Sequence, residues 1–269
     1  MPDLRYHLIS LISVFLALAI GILLGVAMAD RGVVSARVQA EITSIEQQLD
    51  RQQGEIEEQN DQIADQEAML DRMSEVMISG SLQGTDVALV SGPYADPDVS
   101  GAVQGDLAAA GANIIKVESL EPPEPAEITL LENTSPQAMT PLEDKYVGFA
   151  RDEILGLTGE IEDTPEIVIF VGGGEIPEGA PPDTRDALDA AQAEMFEVWL
   201  DAGVRVVGAE PLQTGHSEVE LFQDVGIPAA VNADEPAGRA ALIECAAAED
   251  CEGTYGTKET ATDPFPSPS

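Results

Sequence analysis

The chain has 269 residues, and 50 acidic against 12 basic side chains give it a formal net charge of −38 at pH 7. This charge makes nucleic acid and anionic lipid poor partners for the soluble part and suits cations or basic proteins, although a surface adapted to high salt accounts for it more simply. Aromatic residues are only 4% of the chain, which leaves little material for stacking platforms or aromatic cages.

The first predicted element is a membrane anchor. No charged residue occurs from Leu8 to Ala29, and a helix of that length rises about 33 Å, close to the thickness of the hydrocarbon core of a bilayer. We therefore assign residues 1–30 to a short N-terminal tail and a single transmembrane span.

A cleavable signal peptide is the competing interpretation. Ala27-Met28-Ala29 fits the cleavage pattern, and Arg5 precedes the apolar run. The run is longer than the usual signal core of about 7 to 15 residues, so we expect it to be retained as an anchor. Local charge does not decide the orientation. Because the bulk of the chain follows the span, we expect the amino terminus inside and the folded part outside the cytoplasm.

The anchor also carries a family resemblance. The residues Leu4 to His7, Ser10-Leu11 and Val14 to Ala19, followed by Gly21 and Gly25, are similar to the N-terminus of the actinobacterial MctB family. That family is described as copper transport proteins of the cell envelope, and it includes the related SteB proteins of cell separation. The resemblance implies a role in copper transport or homeostasis. Binding of copper to this chain is implied by the resemblance alone.

A heptad pattern follows from Val38 to Met77 and predicts a coiled-coil stalk over residues 31–80. Its a positions are all apolar: Ile42, Leu49, Ile56, Ile63, Leu70 and Met77. Its d positions are Val38, Ile45, Gln52, Gln59, Gln66 and Met73. Buried amides at d favour a fixed register at a cost in the stability of the coiled coil. The apolar a positions predict self-association, with a homodimer through the stalk as the simplest form.

The charges beside this seam do not support pairing. Glu41 and Glu46 would face each other across a parallel homodimer, and no attractive pair of g and e positions occurs. Pairing would depend on the a positions, on salt screening and on the anchor, where Ala17, Gly21 and Gly25 form a small-residue face suited to helix contact in lipid. A different envelope protein as partner of the stalk stays open.

Residues 81–250 alternate between strand and helix patterns and predict a Rossmann-like, doubly wound α/β domain. The predicted strands are 86–90, 114–117, 167–171, 204–207 and 229–231, and the predicted helices are 99–110, 142–155, 184–202 and 237–248. Residues 121–141 are rich in Pro, Glu and Thr and are expected to form a long loop. Residues 251–269 are expected to be a disordered tail.

No catalytic site is expected. Gly172-Gly173-Gly174 follows a predicted strand but lacks the spacing of a dinucleotide-binding loop and is followed by acidic residues, so a tight turn is favoured over a nucleotide or other cofactor site. Only His216 lies in the soluble part, since His7 is at the membrane boundary, and no Ser/His/Asp or Cys/His arrangement is evident. We expect a protein without enzymatic activity.

The residues that soft metals prefer have simpler explanations. Met69, Met73 and Met77 recur at helical spacing, where packing of the stalk is favoured over copper binding. Cys245 and Cys251 are the only thiols, and in an exported domain we expect a disulfide, with a reduced pair or a metal pair as alternatives. Two functions remain: copper transport or homeostasis, implied by the resemblance, and an envelope scaffold, of the kind that acts in cell separation, that recruits a partner protein.

Overall fold

The structure is a computed structural model that describes residues 4–129, 140–156 and 164–266. Its helices are α1 (Leu4–Ile78), α2 (Pro97–Ala109), α3 (Pro125–Thr129), α4 (Pro141–Phe149), α5 (Thr184–Asp201), α6 (Val219–Val225) and α7 (Pro236–Ala247). Its strands are β1 (Asp86–Ser91), β2 (Asn113–Ser119), β3 (Ile167–Val171), β4 (Arg205–Ala209), β5 (Ala229–Ala230) and β6 (Thr254–Tyr255). It is a mixed α/β structure preceded by a long N-terminal helix.

Helix α1 continues without a break from the apolar run into the heptads. Within it, His7–Met28 is long and apolar enough to cross a membrane, and its side chains are exposed. The chain divides into two compact units, Met1–Asp65 and Gln66–Ser269. The second unit therefore takes in the last turns of α1, although the sequence pattern placed the boundary at residue 80.

All strand pairs are parallel, in the order β2-β1-β3-β4-β5-β6. The five strands expected from the sequence are present, and β6 is an addition. Strand β3 is buried along its whole length because helices cover both faces of the sheet. Its continuous apolar sequence, Ile-Val-Ile-Phe-Val, fits that position.

Alternate strand residues build a separate core on each face. Val87 and Leu89 join Ile167 in a cluster with α2, α7 and the end of α1. On the opposite face, Ala88 and Phe170 pack with α4, α5 and α6. Aromatic rings concentrate on the second face, where the rings of Phe170 and Phe196 meet edge to face at 4.9 Å between centroids.

Local sequence signals explain where the helices begin. Asp96 caps α2 by accepting a hydrogen bond from the backbone N–H of Asp98 at 2.9 Å, and Pro97 opens that helix. Thr140 and Glu143 form a reciprocal capping box at the start of α4, with bonds of 2.6 and 3.2 Å. These caps place both helix starts two residues or fewer from the predicted ones.

Two expectations are corrected by the structure, and one helix was not predicted. The predicted helix 142–155 is α4 followed by a π-helical turn, Ala150–Ile154. Within the predicted loop 121–141, Pro125–Thr129 is the short helix α3, and residues 130–139 lie outside the described part. Helix α6 was not predicted, because its seven residues are too few to establish a helical period.

The expected disordered tail is the third correction. Residues 251–266 are described, and Thr254–Tyr255 pairs with β5 as the sixth strand. Thr254 accepts a bond from the N–H of Thr262, and Phe265 packs against the core. The Thr, Pro and Ser content of this segment suggested disorder. The segment is ordered because its backbone pairs with the edge strand β5 and because Tyr255 and Phe265 pack against the core. Residues 267–269 lie outside the described residues.

Candidate functional site

The loops that follow β1, β3 and β4 meet above the carboxyl ends of the strands. There the chain leaves β1 toward β2 on one side and returns to β3 on the other, which is the position where open parallel sheets form their crevice. An open cleft of about 580 Å³ lies at this position. Its lining includes Tyr94 and the carboxylate residues Asp96, Glu175 and Asp234, and no basic residue is among the described lining residues. The cleft therefore favours a cationic group over an anion.

The glycine run Gly172-Gly173-Gly174 reaches this cleft at Gly174, which is one of its lining residues. The backbone N–H of Gly173 donates to Glu218 Oε2 at 2.9 Å, and that of Gly174 donates to the hydroxyl of Thr214. A Cβ at residue 172 would lie 1.4 Å from Glu218 Oε2, and one at residue 174 would lie 1.8 Å from the carbonyl oxygen of Tyr94. The glycines thus admit a buried carboxylate, and all three of their amides are bonded within the chain, since the N–H of Gly172 donates to the carbonyl of Ala209 at 2.7 Å.

Beneath the glycine run lie two buried carboxylates, Glu210 and Glu218. Glu210 follows β4 and accepts hydrogen bonds from the Ser217 hydroxyl and the N–H of Glu218, both at 2.9 Å. Lys258 forms an ion pair with the same carboxylate. Since the Glu210 side chain is 0% exposed, its charge depends on these three partners.

Glu218 is held differently, by two neutral hydrogen-bond donors. Its Oε1 accepts from Gln192 Nε2 at 2.9 Å, and its Oε2 accepts from Gly173. Burial raises the pKa of Glu218 to about 7, and the nearby charge of Glu210 adds to that rise. The two hydrogen bonds and the proximity of His216 lower the pKa but do not cancel the cost of burial. Glu218 therefore changes its protonation state near neutral pH.

His216 lies in the loop before α6 and is buried. Its Nε2 is 3.1 Å from Asp189 Oδ1, but neither ring nitrogen has a hydrogen-bond partner among the described residues. The hydroxyl of Ser217 donates to Glu210, so the serine is not paired with the histidine. Within the described residues, this neighbourhood lacks a hydrogen-bonded nucleophile and base of the kind that acyl transfer requires.

The two cysteines are joined in the structure. A disulfide links Cys245, near the end of α7, to Cys251, with Cα atoms 5.3 Å apart. It fixes the start of the segment that forms β6 and carries Lys258 to Glu210. The C-terminal segment is therefore tied to the sheet by a covalent bond, a strand pairing and an ion pair.

The residues assigned to self-association lie along α1. Ile42, Leu49, Ile56 and Ile63 are exposed, as are Leu70 and Met77 in the second unit. A Cβ added at Gly21 or Gly25 would meet nothing within 4 Å. Each of these positions is accessible in the single chain.

The candidate copper donors lie in two separate parts of the chain. Met69, Met73 and Met77 are exposed on α1, while both cysteine sulfurs are in the disulfide. No group of three or more His, Cys, Asp or Glu side chains within the described residues is arranged to hold a metal ion. The structure therefore offers no preformed His, Cys or carboxylate cage for copper in the part that it describes.

The buried acid pair was not predicted from the sequence. Glu210 and Glu218 are two of 50 acidic residues, so their residue type alone did not distinguish them from the rest. One signal was available for Glu210, because the acid directly follows the apolar strand Arg205–Ala209 at the carboxyl edge of the sheet. No comparable signal marks Gln192 or Lys258, whose partners lie 26 and 48 residues away in the chain.

Comparison with known proteins agrees with the N-terminal resemblance. No curated protein matches the chain. A family model described as "Copper transport outer membrane protein, MctB" matches residues 1–123, which extend from the apolar helix through β2. The resemblance of this chain to the MctB family is therefore confirmed over residues 1–123.

Proposed function

We propose that the chain is a membrane-anchored protein of the cell envelope that acts, without enzymatic activity, in copper transport or homeostasis. The match of residues 1–123 to the copper transport family carries this proposal, because it includes the apolar helix, the heptads and the first strands of the sheet. The remaining residues supply the second half of the sheet and the disulfide.

The proposed architecture has three parts. His7–Met28 is a single membrane span, the heptads are a coiled-coil stalk that pairs with a second copy, and the α/β part is a Rossmann-like, doubly wound domain. The exposed a positions support the stalk, since six apolar side chains recur at heptad spacing and are exposed in one chain. Strand order and helices on both faces support the domain assignment.

We place the α/β domain outside the cytoplasm. Its disulfide supports this placement, because such bonds persist in oxidising compartments and are rare where glutathione keeps thiols reduced. The test is fractionation of the native membrane together with protease accessibility of the domain in intact cells. A mature N-terminus that begins at Asp30, or a domain cleaved only after the cells are opened, contradicts the proposed anchor or its orientation.

Copper is the cargo in this proposal. The proposed role is to support transport through the anchor, the stalk and contacts of the α/β domain, since the described residues provide no preformed cage of His, Cys or carboxylate side chains. A strain that lacks the gene should grow less well at raised copper, and the full-length chain should restore growth. A chain whose span is replaced by a cleavable signal peptide is the matched control and should not restore it. Unchanged copper sensitivity in the deletion strain contradicts this function.

A non-enzymatic scaffold, as in the cell-separation relatives, is the alternative. The acidic cleft beside Asp96, Glu175 and Asp234 favours it, because it could receive basic side chains of another envelope protein. Affinity capture of the detergent-solubilised membrane form should then recover a specific partner, and the triple change of these acids to Asn, Gln and Asn should abolish recovery. Equal recovery with the altered cleft excludes this surface as the docking site.

A further inference from the structure

A strip of exposed apolar side chains occupies the last turns of α1. Its members are Met69, Leu70, Met73, Val76 and Met77, with exposed fractions of 63%, 45%, 51%, 78% and 49%. These turns belong to the same compact unit as the sheet. The strip therefore stays in contact with solvent although an α/β domain lies beside it, and apolar strips of this kind mark interaction surfaces.

The neighbouring side of the same turns is docked on the domain. Ile78 is buried in the core, and Ser74 is half-buried. Arg239 bridges α1 and α2, with its Nη2 3.7 Å from Asp71 and its Nε 2.6 Å from Asp106. These contacts set the rotation of the helix, so that the residues at heptad positions b and e face the domain and the strip faces outward.

The strip continues the heptad in phase and is wider than the seam before it. Leu70 and Met77 occupy a, Met73 occupies d, and Met69 and Val76 occupy g. Farther toward the membrane, the flanking positions hold Glu41 and Glu46, which would repel each other in a parallel pair.

In the strip, the corresponding pair is Met69 at g against Ser74 at e of a second chain, and neither side chain is charged. Two copies can therefore approach at this level without charge repulsion between their g and e residues, and their apolar g, a and d residues can be buried together. The charge pattern thus favours a second copy as the occupant of this strip.

A groove opens next to the strip on its e side. Leu70 and Asp71 of α1 form one wall, and Asp234 to Ala237 together with Arg239, before and at the start of α7, form the other, enclosing about 410 Å³. In a parallel coiled coil, the g residues of one helix run along the e side of the other. The g residue at this level is Met69, a flexible apolar side chain that adapts to irregular cavities.

We infer that the strip and this groove form a self-complementary interface, in which Met69 of a second copy inserts between α1 and α7. The interface is two-fold symmetric, because each chain presents both the methionine and the groove. It concentrates self-association next to the domain, where the seam is fully apolar, and leaves the Gln-rich middle of the stalk to set register. This inference rests on the proposed parallel homodimer, and it adds which residues of the domain take part.

Directed cross-linking of the full-length protein in membranes tests the contact. One copy carries Met69→Cys with one affinity tag, and a co-expressed copy carries Ala237→Cys with another, so that only a contact between copies yields a doubly tagged adduct with a short bismaleimide. Because the native cysteines form a disulfide, the wild-type pair should give no adduct. Glu197→Cys, exposed on α5 at the other face of the sheet, replaces Ala237→Cys as the matched control.

A second arm separates this inference from the proposed dimer. Copies that both carry Ile56→Cys, an a position two heptads before Leu70 in the sequence, should cross-link whenever the stalks pair in parallel. A doubly tagged Met69–Ala237 adduct without a Glu197 adduct supports the inference. An Ile56 adduct without the Met69–Ala237 adduct overturns the inference and leaves the parallel dimer standing, whereas absence of both adducts together with a monomeric mass overturns both.

Sedimentation in detergent measures how much the inserted methionine contributes to the stability of the dimer. Met69→Glu would place a charge in the groove of the second copy, and should weaken dimerisation at least about tenfold. Gln47→Glu, at an outward f position, adds the same charge elsewhere on α1 and should leave the dissociation constant within about twofold. Equal dissociation constants for the two variants would contradict the inserted methionine.

Discussion

The carboxylate of Glu218 accepts a hydrogen bond of 2.9 Å from the backbone N–H of Gly173, in a space that a side chain at Gly172 would fill. The contact joins α6 to the loop after β3, so the wall of the acidic cleft is held by an acid whose pKa lies near neutrality. Protonation of this one residue therefore acts on the stability of the domain and on the loop beside the cleft.

Stability should depend on pH through Glu218. Its pKa rises from an ordinary value of 4.5 to about 7 on folding, so the folded state holds the proton more tightly than the unfolded state. The resulting stabilisation is fully present below pH 4.5 and is lost as the pH rises to 7. Denaturant unfolding at several pH values between 5 and 8 should show a downward component in the wild type that Glu218→Gln lacks. Glu220→Gln, exposed on the same helix, should keep that component, and parallel wild-type and Glu218→Gln profiles would contradict the assignment.

Gly172→Ala should destabilise the domain by about 2 to 4 kcal/mol, because the new methyl group would overlap the Glu218 carboxylate and force it from its hydrogen bonds. Gly179→Ala is the matched control, since a Cβ there meets nothing within 4 Å, and its effect should stay within about 0.5 kcal/mol. Chemical denaturation of both variants measures the difference. Similar midpoints for the two variants would show that the loop relaxes around the added group.

Lys258→Met should cost about 3 kcal/mol, because it leaves the Glu210 carboxylate buried without its cation. Lys145→Met removes the cation from a half-buried pair with Glu127, whose atoms are 3.5 Å apart and whose side chains keep 33% and 23% exposure, and should cost less than about 1 kcal/mol. The comparison uses the same substitution in the same domain, with thermal or denaturant unfolding as the readout. A smaller loss for Lys258→Met than for Lys145→Met would contradict the role of the C-terminal segment.

Cys245 and Cys251 should resist alkylation in protein taken from the envelope and react after a reductant is added. Replacing both by Ser should lower the free energy of unfolding by about 2 kcal/mol, as expected for a short closed loop. The first effect should be an easier release of the segment with β6, detectable as faster hydrogen exchange at Thr254 and Tyr255. Mass spectrometry that finds both thiols free in the native protein contradicts the pairing.

Local patterns were sufficient for the element types. The continuous apolar residues Ile167–Val171 indicated a buried strand, and the uncharged run in α1 indicated a span, because both signals depend only on neighbours in the chain. Short elements were not predicted, because a pattern of neighbouring residues needs several residues to be recognised. Helix α6 and strand β6 have too few residues for a period, and their formation depends on burial of Phe222 and on pairing of Thr254 with Ala229.

The sequence by itself determined the apolar anchor, the heptads, the parallel order of strand and helix and the family to which residues 1–123 are similar. Each of these features depends on residues that are close together in the chain or on the similarity of one continuous segment to a family. Only the tertiary structure decided that Glu210, Glu218, Gln192 and Lys258 meet under the glycine run, since these residues are brought together by strand order and not by spacing. It also decided which side of the last turns of α1 is docked and which stays apolar and exposed, because that rotation is set by Ile78 and Arg239 packing against partners distant in the chain.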